Sequence, residues 1–319
     1  MQKRSGEQTT FFDLATAGRG GSNRVLETIA SVVDFSEAER VIGATYSEIG
    51  RPGNRVAVML RVTILQHLYG LSDPQAEEQL KDRLSFQKFV GLRAEESVPD
   101  ETSICRFRER LLECRLQDQL LEMLNAQLAA RGYLVKRTML VDATLIESSR
   151  QRPARQIAAQ GQAPDAEARY TRKHGRSYYG YKAHVSVDGQ HQLICRAKVT
   201  PANVDDSQVF GELLDPQTRA AYADKAYDSK ANKAWLARHC IANGILKKGA
   251  RHIKLTDEDR RRNKRKSARR RHIERVFGQL KKWQHYARVR YLGVAKNQLE
   301  LTLKAVAYNL KRLTTLLAA

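Results

Sequence analysis

Apolar residues recur at helical spacing from about residue 22 to residue 132, which predicts an all-helical first part. Val25, Ile29 and Val33 form one short stripe. The stretch 55–68 is apolar on nearly every side, through Val56, Val58, Met59, Leu60, Val62, Ile64, Leu65 and Leu68. Such a segment suits the central helix of a bundle. Gly70-Leu71-Ser72-Asp73-Pro74 stops that helix and starts another, with Ser72 or Asp73 as N-cap and Pro74 in the first turn. Helical pattern continues over 75–83 and 86–92. A further helix opens at Pro99-Asp100-Glu101-Thr102-Ser103 and passes through Ile104, Phe107 and Leu111, and a last one covers about 116–130 before Arg131-Gly132.

At residue 134 the period changes. Leu140-Val141-Asp142-Ala143-Thr144-Leu145-Ile146 reads as a buried strand with a carboxylate in its middle. Residues 148–178 are polar and basic without clear period, as an exposed loop would be. Strands follow over 179–187 and 193–199, joined at Asp188-Gly189-Gln190. A short helix is expected over 206–214, a strand end carrying Asp224 over 222–227, a helix capped by Ser229 over 229–242, and a last short strand at Ile245-Leu246. A final helix spans about 297–317. Three meander strands followed by alternating strands and helices predict a mixed sheet of five strands. The expected plan is a polar arm at 1–21, a helical domain at 22–132 and a sheet-based domain at 133–319.

Charge changes the picture most. The chain has 56 Lys and Arg against 35 Asp and Glu, a net +21. Such an excess favours a polyanion, with nucleic acid as the default partner. No stretch approaches the roughly 18 apolar residues of a membrane span, and no apolar segment follows the first basic residues as in a signal peptide. Cys105, Cys114, Cys195 and Cys240 are scattered, without the spacing of a zinc site, and read as reduced buried thiols. A cytoplasmic, membrane-free protein is expected.

The candidate chemistry centres on the segment 269–281. At about 100° per residue, Arg270, Glu274, Phe277 and Lys281 share one helical stripe, and Ile273, Val276 and Leu280 share the apolar one. A lone acid between cations suits a metal-dependent phosphodiester enzyme. The alternative is an exposed helix with ion pairs four residues apart. In the mixed sheet the first strand can neighbour the fourth, which would bring Asp142 beside Asp224, and a helix on that sheet could add Glu274. Three converging carboxylates become tolerable around divalent cations. Hard oxygen ligands suit two Mg²⁺ ions, with Mn²⁺ as substitute. The basic run 247–271 before this helix reads as a phosphate-tracking element, the alternative being a solvated linker.

Several blocks resemble the IS5-type DDE transposases of bacterial insertion sequences, within the wider IS4-like group. They are Leu68 to Asp73, Val98 to Arg108, Val141 to Glu147, Gly180-Tyr181-Lys182-Ala183-His184, Ala202 to Ser207, Ala223 to Asp228, and Arg270 to Lys281. The resemblance implies a ribonuclease-H-like catalytic core behind a helical DNA-binding domain. It implies Asp142, Asp224 and Glu274 as metal-binding catalytic acids. Arg270 and Lys281 complete the group's late signature as phosphate contacts, while the tyrosine of that signature is Ser267 here. It further implies a transposase that binds terminal inverted repeats, cleaves DNA at the element ends, and joins the 3′-OH ends to target DNA, as a homodimer on DNA. Rival readings are a nuclease of the same fold without strand transfer, and a DNA-binding derivative without catalysis.

The remaining candidates are Lys182 and His184, beside the acids, and Arg106 and Arg108 in the helical part, all as DNA contacts. Glu147 is expected on the opposite face from Asp142, Asp228 as a rival to Asp224, Asp205 and Asp206 as helix caps, and Trp283 in the core. No β-rich insertion is expected between the last strand and Glu274.

Overall fold

The computed structural model describes residues 23–46, 53–93, 96–150, 153–154, 163–173, 175–249 and 254–318. The arm expected at 1–21 lies outside these residues. The chain forms two compact units. One takes in the described residues through Gln127 together with those from Val306 onward, and the other spans Leu128–Ala305.

The first unit is helical: α1 (Arg24–Val32), α2 (Ser36–Gly43), α3 (Val56–Tyr69), α4 (Asp73–Asp82), α5 (Leu84–Val90), α6 (Glu101–Glu113) and most of α7 (Gln117–Ala130). Helix α3 is the buried centre, with Val56, Val58, Met59, Leu60, Val62, Ile64 and Leu65 shielded. Gly70 closes it in the left-handed region, at φ 68°, where a side chain would be strained. Ser72 opens α4 through a reciprocal capping box with Gln75. Asp100 caps α6, accepting from the Ser103 amide at 2.6 Å. Asp73 then ties the start of α4 to the middle of α6: both its oxygens accept from the Arg108 guanidinium, at 2.7 and 2.9 Å.

The second unit is built on β1 (Thr138–Glu147), β2 (Arg169–Lys173), β3 (Arg176–Asp188), β4 (Ile194–Pro201), β5 (Ala220–Ala223) and β6 (Ala242–Asn243). Helices α8 (Lys230–Arg238), α9 (Asp257–Trp283) and α10 (Val294–Leu317) follow or flank these strands, the end of α10 belonging to the first unit. Neighbouring strands run β3-β1-β5-β6, and both β2 and β4 pair with β3. β1, β3 and β4 pair antiparallel, whereas β5 and β6 join parallel. This is the mixed, ribonuclease-H-like arrangement expected from the sequence.

The differences are local. A sixth strand, β2, forms inside the stretch read as loop; its side chains are mostly exposed, so it has no apolar signature. Residues 206–214 make two short 3₁₀ turns, Asp206–Val209 and Gly211–Leu213, in place of one helix. β6 falls at 242–243, not at Ile245-Leu246. Helix α9 begins at Asp257, about three turns before the segment that first suggested it. Thr256 and Asp259 form a capping box, and three acids occupy the first turn, where they offset the N-terminal dipole. Arg260–Asp257 and Arg262–Glu258 ion pairs support that end. Much of the basic run is therefore helical. Among the described residues between β6 and α9 there is no strand, in keeping with the expected lack of an insertion.

Gly180 shows how tightly the sheet is set. It pairs with Glu147 of β1 on one side and Arg169 of β2 on the other. Its φ is 155°, and a Cβ there would overlap the Ile146 carbonyl and the Ser148 nitrogen.

Candidate active site

The strand register sets the first two acids. β1 and β5 run parallel, and their last paired residues are Val141 and Ala223. The next residue on each strand is Asp142 and Asp224, so the two carboxylates stand side by side at the edge of the β1–β5 ladder. Asp224 accepts from the Lys225 amide at 2.7 Å, which fixes its turn out of β5.

Helix α9 packs on this sheet through Ile273, Val276 and Leu280, all essentially buried. Its other face carries Arg270 and Glu274. Arg270 Nη1 lies 2.6 Å from Asp142 Oδ2, and Nη2 lies 3.5 Å from Glu274 Oε1. The guanidinium thus sits between the strand acid and the helix acid. Among the described residues, no three His, Cys, Asp or Glu side chains come close enough to grip one metal ion. Arg270 stands between Asp142 and Glu274 instead.

Burial pushes the Asp142 carboxyl up to about 6, against the pull of Arg270 and the Ala143 amide, and Asp224 nearby raises it further. A bound cation beside this carboxylate would favour its charged form. The donor set consists of carboxylate oxygens without thiolate or imidazole, so it fits a hard divalent ion. Lys173, at the end of β2, also acts on Asp142, and it lies near Lys281, whose own pKa is lowered by desolvation and by Lys173. Sequence reasoning missed Lys173, because β2 was not visible as a strand.

Tyr227 was also missed, although it lies in the block with Asp224. Its ring is fully buried against Phe210, 5.5 Å between centroids. Its hydroxyl is buried without a hydrogen-bond partner. Burial and the charges of Asp206, Asp142 and Asp224 hold its pKa well above the usual phenol value. It remains a neutral hydroxyl in the floor beneath the acids.

Other candidates have inside work. Lys182 pairs with Asp206 at 2.9 Å and donates to the Val204 carbonyl at 2.7 Å. Asp206 thus anchors that lysine rather than capping a helix. His184 is fully buried, bonded to Thr200 Oγ1 at 2.9 Å, and burial lowers its pKa to about 4. It is a neutral part of the sheet. Arg108 is buried on Asp73 and joins α4 to α6, while Arg106 stays exposed. Asp228 is taken by Lys233 and the Lys248 amide. Glu147 is exposed and faces Arg288 at 3.8 Å. Trp283 was expected in the core but is 58% exposed: α9 ends there, and Lys282 lies over its ring. Phe277, assigned to the charged stripe, is buried instead. Ser267 is exposed on the same helix, one turn before Arg270. None of the four cysteines forms a disulfide, and only Cys195 is buried.

Comparison with known proteins gives a consistent result. The family model described as the transposase DDE domain matches residues 133–310. A second, described as a transposase domain (DUF772), matches residues 18–110. The transposase for insertion sequence element IS1106 of Neisseria meningitidis serogroup B is 34% identical over 227 residues, covering 67% of this chain and 78% of that protein. A cryo-EM structure of a piggyBac transposase synaptic complex with hairpin DNA aligns over 92% of this chain and 74% of that one, at 9% identity and a TM-score of 0.42. With a family model spanning more than half its length and a relative of this identity, the chain belongs to the DDE-domain transposases of bacterial insertion sequences, divalent-metal-dependent enzymes that cleave and transfer DNA.

Proposed function

We propose that this chain binds the terminal inverted repeats of its element, cleaves the DNA at the element ends, and joins the freed 3′-OH ends to target DNA. The observation that carries this reading is the juxtaposition of Asp142 and Asp224 on adjoining strand ends, with Arg270 linking Asp142 to Glu274. Asp142, Asp224 and Glu274 are the metal-binding acids. Two Mg²⁺ ions, with Mn²⁺ as substitute, would activate the attacking oxygen and stabilise the leaving oxygen of an in-line displacement at phosphorus. Arg270 and Lys281 hold phosphates beside the scissile bond, and Lys173 adds a third cation on that face. Buried Tyr227 and the Lys182–Asp206 pair keep the strand ends in place. Residues 22–132, with exposed Arg106, recognise the element ends, and residues 133–319 carry the chemistry. The protein works as a homodimer, one copy for each of two ends.

The test is cleavage of labelled DNA carrying the element's own end, in Mg²⁺, by the wild type and by Glu274→Ala. Glu274 is 61% exposed, so this change should leave folding intact. Cleavage lost with DNA binding retained supports the assignment. Equal cleavage by both proteins removes Glu274 from the site. A target duplex in the same reaction separates strand transfer, which yields joined products, from cutting alone.

A further inference from the structure

A second cationic pocket lies on α9 beside the carboxylates. Arg137, Thr138, Leu140, Asp188, Arg269 and His272 help to line a space of about 430 Å³. Alternation along a strand puts Thr138, Leu140 and Asp142 on one face of β1. At about 3.3 Å per residue, the pocket wall at Thr138 lies roughly 13 Å from Asp142. Consecutive residues of α9 serve the two places: Arg270 turns to Asp142, and Arg269 turns to the pocket.

The pocket is built for an anion. Arg269 Nη1 donates to the Tyr222 hydroxyl at 2.9 Å, and its guanidinium lies over the Tyr222 ring at 5.5 Å. Tyr222 stands opposite Leu140 in the sheet, so the arginine is held over this same face. Arg137 is exposed at the mouth. Among the described residues, no acid pairs with either guanidinium. The one carboxylate in the lining, Asp188, is 1% exposed, and its oxygens accept from the Lys136, Gln190 and His191 amides at 2.7–3.1 Å. Its oxygens are therefore engaged by backbone amides and not by the arginines. His272 Nδ1 lies 3.3 Å from the Gln192 side-chain amide nitrogen.

We infer that Arg137, Arg269 and His272 form a phosphate-binding pocket for the backbone of the DNA strand that passes over the acids. This rests on the proposed function and adds to it: a second grip a few nucleotides from the scissile bond sets which phosphodiester reaches Asp142 and Asp224. A phosphate requires such a fork of donors and needs no base contact. The pocket therefore fixes register and carries no sequence preference.

The experiment uses the full chain with labelled end DNA. Binding is measured without metal over a range of salt concentrations, and cut positions are mapped with Mg²⁺. Each phosphate contact contributes about 0.9 to the slope of log affinity against log salt. Arg137→Gln should lower that slope by about one and spread the cuts over neighbouring positions. Arg269→Gln should do the same. Because Arg269 also supports Tyr222, Arg137→Gln is the cleaner variant, and its melting temperature should match that of the wild type. Wild-type slope and a single wild-type cut position in Arg137→Gln and in Arg137→Gln/His272→Gln would overturn the pocket alone. A wild type that binds no DNA would overturn both this inference and the function it rests on.

Discussion

Asp142 should make the metal-free protein less stable as pH rises. Burial, with Arg270 and Asp224 already counted, brings its carboxyl from 3.8 up to about 6. The folded state therefore binds the proton more tightly than the unfolded chain does. The stability that this provides is fully present below pH ~4 and is lost as pH rises to about 6. At about 1.4 kcal/mol per tenfold change in proton affinity, the loss is about 3 kcal/mol. The side chain is 20% exposed, so solvent screening removes only part of this. Asp142→Asn keeps the shape and removes the charge. In EDTA at pH 7 the variant should be more stable than the wild type by up to about 3 kcal/mol, and the two should converge near pH 4. For a unit of this size, about 2–4 °C follows per kcal/mol, or roughly 6–12 °C. Thermal unfolding at several pH values reads this difference. On the proposed assignment of Asp142 as a metal ligand, adding Mg²⁺ should then raise the wild type and leave the variant unchanged. Parallel pH profiles in EDTA would show that Asp142 carries no such strain, and the argument that this site needs a cation would fail with it.

Three further outcomes follow from the geometry. Arg108→Ala should destabilise the helical unit by about 3 kcal/mol, because it leaves Asp73 without its bidentate partner in a largely buried setting; chemical denaturation checks it, and a loss below about 0.5 kcal/mol would mean that Arg108 is not a structural link. Gly180→Ala should disrupt the pairing of β1, β2 and β3, since a Cβ would strike the Ile146 carbonyl; a soluble variant with wild-type far-UV CD and melting temperature would refute this. His184→Gln should leave the salt dependence of DNA binding unchanged, because the imidazole is buried and neutral; a changed salt slope would return His184 to the DNA interface.

The sheet was legible in the sequence wherever a strand is buried. β1, β3 and β4 announced themselves by apolar runs, and the position of Asp142 within one of them marked the site. Periodicity alone could not show β2, whose residues Arg169 to Lys173 face solvent and gain their order by pairing with β3. Lys173 was missed for that reason. The charged residues were the least legible, because a cation's place in the chain does not reveal its partner. Arg106 and Arg108 differ by two positions on one helix, yet one is exposed and the other is buried on Asp73. Lys182 likewise read as a free cation beside the acids until its pair with Asp206 was seen.

On α9 the basic run, read as a phosphate-tracking element, proves to be largely helical. A basic run can be read as a solvated linker because like charges repel within a helix. Here three acids at its start, the i,i+3 and i,i+4 pairs, and the apolar stripe of Ile273, Val276 and Leu280 overcome that repulsion. The helix then holds its cations at fixed angles, which a linker could not do. Arg269 and Arg270 diverge by about 100°, one toward Tyr222 and the other toward Asp142. A rigid rod that serves both places ties the spacing between the Arg269 pocket and Asp142 to the helix itself. A helix-breaking change within the N-terminal basic turns, such as Lys264→Pro, should therefore weaken DNA binding through loss of the ordered cations. The packed C-terminal turns, and with them the Arg270–Asp142 contact, should persist. Hydrogen exchange along α9, read beside DNA affinity, tests this. Protection lost only in the turns around and before the substituted position, together with weaker binding, is expected. Unchanged affinity despite an unfolded first half would show that the order of those turns does not matter for DNA.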